Sequence, residues 1–417
     1  MRAGLGRPGA RPASVAVATL RQADTIRERC ANILRAVGEG RSDHFTLDRT
    51  KLADAARRVE QVTRQHYPDL RIPYHSRWRH FEAGGIDRKA ELDARLAGLD
   101  AAAQAHAHID LTVVSVLLDA GAGASWRYLE AESGQAFGRS EGLGVASFRG
   151  FMQGRFSSDP SQPLRVDAAA LLRLDVATLA AMFQVRDDNP LVGLDGRTLL
   201  LRRLGEAMQV QHASFGAAGR PGVLFDRLAL KSHQAPLGAP QLLQALLDTL
   251  SGIWLAGNEL DGLPLGDCWR HPLAGGSGPS AGWVPFHKLS QWLCYSLLEP
   301  FAWAGVPVTR LDGLTGLPEY RNGGLLLDSG VIVPRDTGFS RRRHTTGDEA
   351  IVEWRALTVA LIDELAPLVR HRLGKTVAEM PLACILEGGT WAAGRAMARE
   401  LRDGSPPLAI DSDGTVF

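Results

Sequence analysis

The sequence has 417 residues, of which 45% are hydrophobic and 22% are charged, as expected of a globular chain long enough for one large or two average domains. The formal net charge of +1 excludes the strongly basic surface of a dedicated nucleic-acid-binding protein and gives no general attraction to anionic lipids. No run of 18 apolar residues lacks a charge, so the sequence predicts no membrane partner.

The composition of the sequence predicts the bounds of the folded unit and the cellular compartment of the protein. Residues 1–13 are rich in arginine, glycine and proline and lack the apolar segment of a secretion signal, which predicts a flexible tail ahead of a single unit over residues 14–417. Four scattered cysteines form no Cys-x-x-Cys pair and are typical of the reduced thiols of a cytoplasmic protein. They are Cys30, Cys268, Cys294 and Cys384.

Apolar residues recur with helical spacing along most of the chain, which predicts a mainly α fold. The predicted helices cover residues 14–37, 46–66, 88–118, 168–183, 198–209, 240–255, 286–298, 349–373 and 391–402. Thr46 is predicted to cap the second of them. Strand-like runs occur at residues 222–230 and 325–333 only, which predicts a minor, short β element attached to a helical body.

The first candidate binding segment covers residues 75–88, where His75, Arg77, Arg79 and Arg88 lie close to a Gly-Gly step before a helix. Arginine guanidinium groups and exposed backbone amides are suited to binding a phosphate. A solvated basic loop that docks on a carboxylate is an equally good interpretation. The His-x4-His spacing does not predict a metal site, because no third ligand stands at a recognisable distance.

Two tryptophans and one helical pair are further candidates for substrate contact. Trp126 follows a glycine-rich turn that lacks the preceding strand of a P-loop or dinucleotide fingerprint. Trp269 lies in a polar loop, where it can stack on a planar substrate, although most tryptophans of this region are expected in the core. Glu353 and Arg355 open a long helix and either face the site or form a helix-surface ion pair.

Lys288 and Glu319 are the strongest candidates for catalysis. The chain has only five lysines against 42 arginines, and Lys288 opens an apolar, aromatic helix. Glu319 follows a Gly-Leu-Pro turn 31 residues later and precedes Tyr320 and Arg321. A lysine and a carboxylate in apolar surroundings shift each other's pKa, so they either form a structural salt bridge or keep Glu319 charged for catalysis.

Several segments together resemble the uracil-catabolism family that has long been classed as a domain of unknown function. The resemblance covers residues 75–395 and implies a part in a pathway that degrades uracil through ribosylated intermediates. The segments that carry it are residues 75–88, 117–128, 138–143, 189–197, 283–295 and 313–328.

A more distant resemblance connects the chain to the queuosine-phosphate salvage glycosidases, which are helical proteins similar to DNA glycosylases. Their Phe-Tyr-Lys, Asp-Tyr-Arg and Val-Glu-x-Arg motifs are similar to residues 286–288, 319–321 and 352–355 here. This resemblance implies a two-lobed, DNA-glycosylase-like architecture with the site between the lobes. It also implies that Glu319 is the catalytic carboxylate, although Glu replaces Asp, that Lys288 supports it, and that His287 lies beside the substrate.

The resulting hypothesis is a hydrolase of the N-glycosidic bond of a small ribosylated, phosphorylated, pyrimidine-derived substrate such as ribosylurea phosphate. It requires no metal and no cofactor, since a carboxylate can stabilise the developing oxocarbenium ion and align water. The alternatives are an amidohydrolase that cleaves a ureido or ring C–N bond, and a non-catalytic metabolite-binding protein. A nucleic-acid partner is disfavoured by the near-neutral charge, and the oligomeric state is left open.

Overall fold

The computed structural model describes residues 12–232 and 235–411, and the fold is mainly α, as predicted. Nearly all of the predicted tail, residues 1–13, lies outside the described residues. The helices are α1 Pro12–Leu20, α2 Ala23–Gly38, α3 Leu52–His66, α4 Arg77–Phe81, α5 Arg88–Leu96, α6 Ala101–Leu117, α7 Arg139–Met152, α8 Ala168–Arg173, α9 Val176–Met182, α10 Leu194–Val210, α11 His212–Phe215, α12 Leu224–Ser232, α13 Ala239–Leu250, α14 Lys288–Trp303, α15 Tyr320–Asp328, α16 Glu349–Leu373, α17 Leu382–Ile385 and α18 Trp391–Arg402.

The strands are short and pair two at a time at the edges of the helical body. β1 pairs with β8, β2 with β3, β4 with β5 and β6 with β7, all antiparallel, whereas β9 and β10 pair in parallel. The strands are β1 Phe45–Leu47, β2 Arg127–Glu130, β3 Gln135–Gly138, β4 Glu259–Leu260, β5 Leu263–Pro264, β6 Cys268–Arg270, β7 Trp283–Pro285, β8 Ile332–Pro334, β9 Arg343–Thr345 and β10 Ala409–Asp411.

The longest helix, α16, forms the centre of the core. It packs against α2 and α3, while α14 packs against α6 and α13. Both helices are apolar on most of their surface rather than on one stripe, as expected of helices surrounded by others. One continuous apolar cluster extends from Ala23 to Leu408, with Trp354 of α16 fully buried inside it.

The helix ends position the candidate site. Lys288 is the first residue of α14 and Glu319 caps the start of α15. α15 packs against α18, whose first residue, Trp391, follows a π-helical turn at Leu386–Thr390. These ends meet the loop that follows α6 and the segment that includes β10, and together they surround one cavity.

Three predicted helices are each divided in two. The prediction over residues 88–118 corresponds to α5 and α6, because Asp100 accepts a hydrogen bond from the backbone N–H of Ala103 at 2.8 Å and starts a new helix. Asp175 divides residues 168–183 in the same way, at 2.7 Å from the N–H of Thr178. Residues 14–37 contain α1 and α2.

Two strand predictions and one cap prediction are wrong. Residues 222–230 form a short 3-10 turn and α12, because the buried residues Leu224, Phe225 and Leu228 follow helical spacing. Residues 325–333 contain the end of α15, and only the start of β8 is extended. Thr46 pairs with Val333 in the β1–β8 sheet instead of capping α3. Among the described helices none has the length and apolarity needed to cross a membrane.

Candidate active site

The candidate site is a cavity of about 450 Å³ that opens between the starts of α14, α15 and α18. Lys288 and Glu319, which are 31 positions apart in sequence, both line it, together with Tyr320 and Arg321. A cavity of this size lies within the usual range for small-molecule sites. The structure thus brings together the four residues around which the sequence hypothesis was built.

Lys288 is fixed in place by a buried ionic group behind it. Its backbone N–H donates to Oδ2 of Asp267 at 2.9 Å. The Asp267 carboxylate also accepts hydrogen bonds from both terminal guanidinium nitrogens of Arg355, each at 2.8 Å. The indole N–H of Trp269 donates to Oδ1 of Asp267 at 2.7 Å. Arg355 and Trp269, both predicted to bind substrate, therefore lie behind the cavity wall and hold Asp267.

Lys288 is only 7% exposed. Burial and then the positive charge of Arg355 lower its pKa, whereas Glu319, Asp267 and Asp119 raise it, and the resulting pKa is about 8. Lysine with a pKa near neutrality can donate or accept a proton at physiological pH, which an ordinary surface lysine does not do. When Lys288 is protonated, its positive charge lowers the pKa of Glu319 and so favours the ionised carboxylate.

We expect the titration of Lys288 to be visible in the intact protein, since the chain has five lysines. In protein labelled with ¹³C at lysine Cε, one NMR signal should titrate with a midpoint near pH 8 and be absent from Lys288→Met. Between pH 8 and the ordinary lysine value of 10.5 the unfolded state binds more protons at this group. The stability of the wild type relative to Lys288→Met should thus rise with pH across that window. A Lys288 midpoint above 10 would contradict the burial argument.

Glu319 is the N-cap residue of α15, with its carboxylate directed at the helix end. Oε2 accepts from the backbone N–H of Arg321 and Oε1 from that of Asn322, each at 2.6 Å. Burial raises the pKa of Glu319, while these two amides and the charges of Lys288 and Arg321 oppose the rise. The result is a poorly hydrated carboxylate held in one orientation, the arrangement needed to stabilise a developing cation or activate a water molecule.

Arg321 supplies positive charge to the same wall. Arg321 is 3% exposed, and its guanidinium carbon lies 4.8 Å from the centroid of the Tyr320 ring. The Nε and Nη1 atoms have no hydrogen-bond partner among the described residues. Because a buried cation without full compensation is costly, the cavity favours an anionic group close to Arg321.

The loop after α6 forms part of the cavity wall and contributes a second charged group, which the sequence analysis did not identify. Asp119 lies 3.0 Å from Nη1 of Arg77, and its Oδ1 has no partner among the described residues. The same Arg77 atom donates to Nδ1 of His80 at 3.0 Å, so the second ring nitrogen of neutral His80 carries the proton. Burial and then the charge of Arg77 lower the pKa of His80 to about 4, which keeps it neutral.

An aromatic wall completes the cavity. His75 lies with its ring centroid 4.5 Å from that of Trp292 and 6.3 Å from that of Trp391, and all three line the cavity. Nδ1 of His75 is 2.7 Å from Oε2 of Glu387. Such a wall is suited to a planar group that has few charges of its own.

Three predicted phosphate ligands have other partners. Arg77 lies behind the cavity wall and donates through Nε to Ser115 Oγ at 2.7 Å. Arg79 is outside the cavity, paired with Glu299 at 2.8 Å. The fully buried Arg88 donates to both carboxylate oxygens of Glu130 and does not line the cavity.

Three other predicted substrate contacts also lie away from the cavity. The indole N–H of Trp126 donates to the carbonyl of Phe183 at 3.0 Å, inside the core. Nε2 of His287 is 2.9 Å from the carbonyl oxygen of Leu20, and His287 does not line the cavity. The buried Glu353 accepts from Ser42 and lies 3.2 Å from His271. A glycine-rich turn predicted Trp126 as a substrate contact, and motif resemblance predicted His287 and Glu353, but each has a structural partner.

Comparison with known proteins places the chain in a family. Residues 19–417 match the family model described as "Protein of unknown function (DUF1688)". "Uracil catabolism protein 4" of Lachancea kluyveri is 38% identical over 436 aligned residues, which cover 96% of this chain and 99% of that protein. "Protein urg3" of Schizosaccharomyces pombe is 38% identical over 410 residues, with the same coverage. The resemblance to the uracil-catabolism family is thereby confirmed, and the chain belongs to the DUF1688 family.

Proposed function

We propose that this protein acts in uracil catabolism and hydrolyses the N-glycosidic bond of a small ribosylated, phosphorylated intermediate such as ribosylurea phosphate. Two relatives that align over almost the whole chain carry the names of a uracil catabolism protein and of urg3. The observation that carries the chemical part is the position of Glu319 and Lys288 on the wall of one cavity. The reaction needs only protein side chains and water.

The proposed step is the cleavage of the bond between the anomeric carbon and the leaving nitrogen. The ribose ring then develops oxocarbenium character, and an oriented carboxylate stabilises this positive charge. Glu319 is held in one orientation by two backbone amides, so no reorganisation is required as charge develops. The same carboxylate accepts a proton from the water whose oxygen bonds to the anomeric carbon.

The phosphate of such a substrate is assigned to Arg321, replacing the sequence prediction of Arg77, Arg79 and Arg88. Those three guanidinium groups are occupied by Asp119, Glu299 and Glu130. Arg321 lines the cavity and keeps two nitrogens without a partner among the described residues. A phosphate in the cavity would place an opposite charge close to this guanidinium.

Arg321→Met is expected to raise KM for a phosphorylated riboside about 10–100-fold, while KM for the same riboside without phosphate changes little. The reason is the loss of a charge-assisted hydrogen bond, which contributes about 1.5–3 kcal/mol. Arg79→Met is the matched control, because Arg79 pairs with Glu299 outside the cavity. Equal changes of KM for both substrates in Arg321→Met would show that the phosphate lies elsewhere.

The function itself is tested by incubating the protein with a panel of pyrimidine-derived ribosides and their phosphates, followed by mass spectrometry. Release of ribose phosphate supports the proposal. Release of ammonia or a carbamate with the sugar retained would instead identify an amidohydrolase. Tight binding to one compound without turnover over hours would identify a metabolite-binding protein.

A further inference from the structure

Both the backbone and the ring of His75 are held by contacts with neighbouring residues. Its backbone N–H donates to the carbonyl of Ala383 at 2.9 Å, and its ring packs against Trp292. The side chain is largely buried, yet it reaches the same cavity as Lys288 and Glu319. Nδ1 lies 2.7 Å from Oε2 of Glu387, close enough for a strong hydrogen bond to a carboxylate.

Glu387 is fixed in turn by its position on the π-helical turn Leu386–Thr390, a type of turn that occurs frequently at functional sites. The turn packs tightly on α3, since a Cβ atom at Gly389 would lie only 2.3 Å from Cγ1 of Val59. Tyr67 donates its hydroxyl to Oε1 of Glu387 at 3.3 Å. Burial opposes ionisation, but the bond from His75 and nearby positive charge lower the pKa of Glu387. It is therefore a hydrogen-bond acceptor at neutral pH.

An acceptor at this position determines which nitrogen of His75 exchanges protons. The proton on Nδ1 is held by Glu387, as in enzymes where a carboxylate orients a catalytic histidine. Nε2 makes no hydrogen bond with any described residue, and the ring lines the cavity. A substrate atom in the cavity can therefore receive a proton from Nε2 or give one to it.

We infer that His75 is the general acid of the proposed reaction and that Glu387 is its positioning residue. His75 enters the step protonated on both ring nitrogens. As the bond from the anomeric carbon to nitrogen breaks, its electron pair goes to the leaving nitrogen, which takes the proton from Nε2 and leaves a neutral His75 ring with its remaining proton on Nδ1. Water adds to the anomeric carbon and gives its proton to Glu319, so the step consumes one water and needs no other reactant. This inference rests on the proposed function, and it assigns the second half of the acid–base pair.

The kinetic test uses ribosylurea 5-phosphate as the probe and compares His75→Gln with His106→Gln. His106 forms a similar pair with Asp226, also at 2.7 Å, but outside the residues that line the cavity. We expect His75→Gln to lower kcat by about 10²–10⁴-fold with KM within threefold, because general acid catalysis contributes that range. His106→Gln should leave both unchanged. A kcat for His75→Gln within threefold of the wild type would overturn the inference.

The tautomer of His75 gives a test that needs no turnover. In protein labelled with ¹⁵N-histidine, NMR should show that the neutral form of the His75 ring carries its proton on Nδ1, with the signal assigned by its loss in His75→Gln. Glu387→Gln should shift the proton to Nε2, since the new amide can donate to Nδ1. A wild type with Nδ1 unprotonated would overturn the inference. If the wild type releases no ribose phosphate from any phosphorylated riboside, the proposed function is wrong, and this result is independent of the His75 tautomer.

Discussion

Glu319→Gln should lower kcat for riboside hydrolysis by about 10²–10⁴-fold while the protein remains folded. The substitution removes the negative charge that stabilises the oxocarbenium-like transition state. The amide oxygen can still accept one of the two backbone N–H groups of α15, so the loss of the other cap bond should cost only about 1 kcal/mol. Steady-state kinetics together with thermal unfolding measure the two effects separately.

Asp100→Asn is the matched control for this variant. Asp100 is also an N-cap carboxylate, on α6, and it is exposed and distant from the cavity lining. The control should be fully active. Glu319→Asp should retain part of the activity, because the shorter side chain keeps the charge but withdraws it by one methylene. A Glu319→Gln protein that folds and turns over at the wild-type rate would remove Glu319 from the mechanism.

Asp267→Asn should destabilise the protein by about 3–5 kcal/mol, the largest stability effect expected from one substitution near the site. Asp267 and Arg355 form a two-point ion pair at 2.8 Å, and both side chains are almost completely buried. Removing the carboxylate charge takes from the buried Arg355 guanidinium the opposite charge at the end of two hydrogen bonds. The measurement is the free energy of unfolding in urea.

The control for Asp267→Asn is Asp188→Asn, which makes the same chemical change in an exposed ion pair with Arg186. It should leave the urea midpoint unchanged, because water solvates both charges. The pKa of Lys288 provides a second readout of Asp267→Asn. Asp267 raises that pKa, so the Lys288 signal should titrate below pH 8 in this variant. Equal urea midpoints for Asp267→Asn and Asp188→Asn would contradict the role assigned to the buried pair.

Helical periodicity was sufficient to predict the fold class and the bounds of the longest helix. α16 and α18 begin and end at the predicted residues, and each ends at a residue in the left-handed conformation, Gly374 and Asp403. Periodicity alone did not predict the breaks at Asp100 and Asp175, where the apolar pattern continues across a capped helix start. The helix α15 was missed because Gly323 and Gly324 lower its helix propensity.

The candidate site was predicted in part. Lys288 and Glu319 could be selected because Lys288 opens a predicted apolar helix and Glu319 follows a Gly-Leu-Pro turn in an apolar segment. The arginines could not be assigned, since their partners are distant in sequence. Arg88 pairs with Glu130, 42 positions away, and Arg79 with Glu299, 220 positions away. Such pairs are set by the tertiary fold, and no local pattern distinguishes a paired arginine from one that binds a ligand.

The central claim is tested most directly with ribosylurea 5-phosphate labelled with ¹³C at the anomeric carbon. The wild type is expected to convert the N-glycoside signal into the hemiacetal signals of free ribose phosphate, with urea as the second product, and Glu319→Gln is expected not to. Loss of ammonia while the labelled carbon remains bonded to nitrogen would contradict glycosidic cleavage. Conversion by Glu319→Gln at the wild-type rate would contradict the role of the carboxylate.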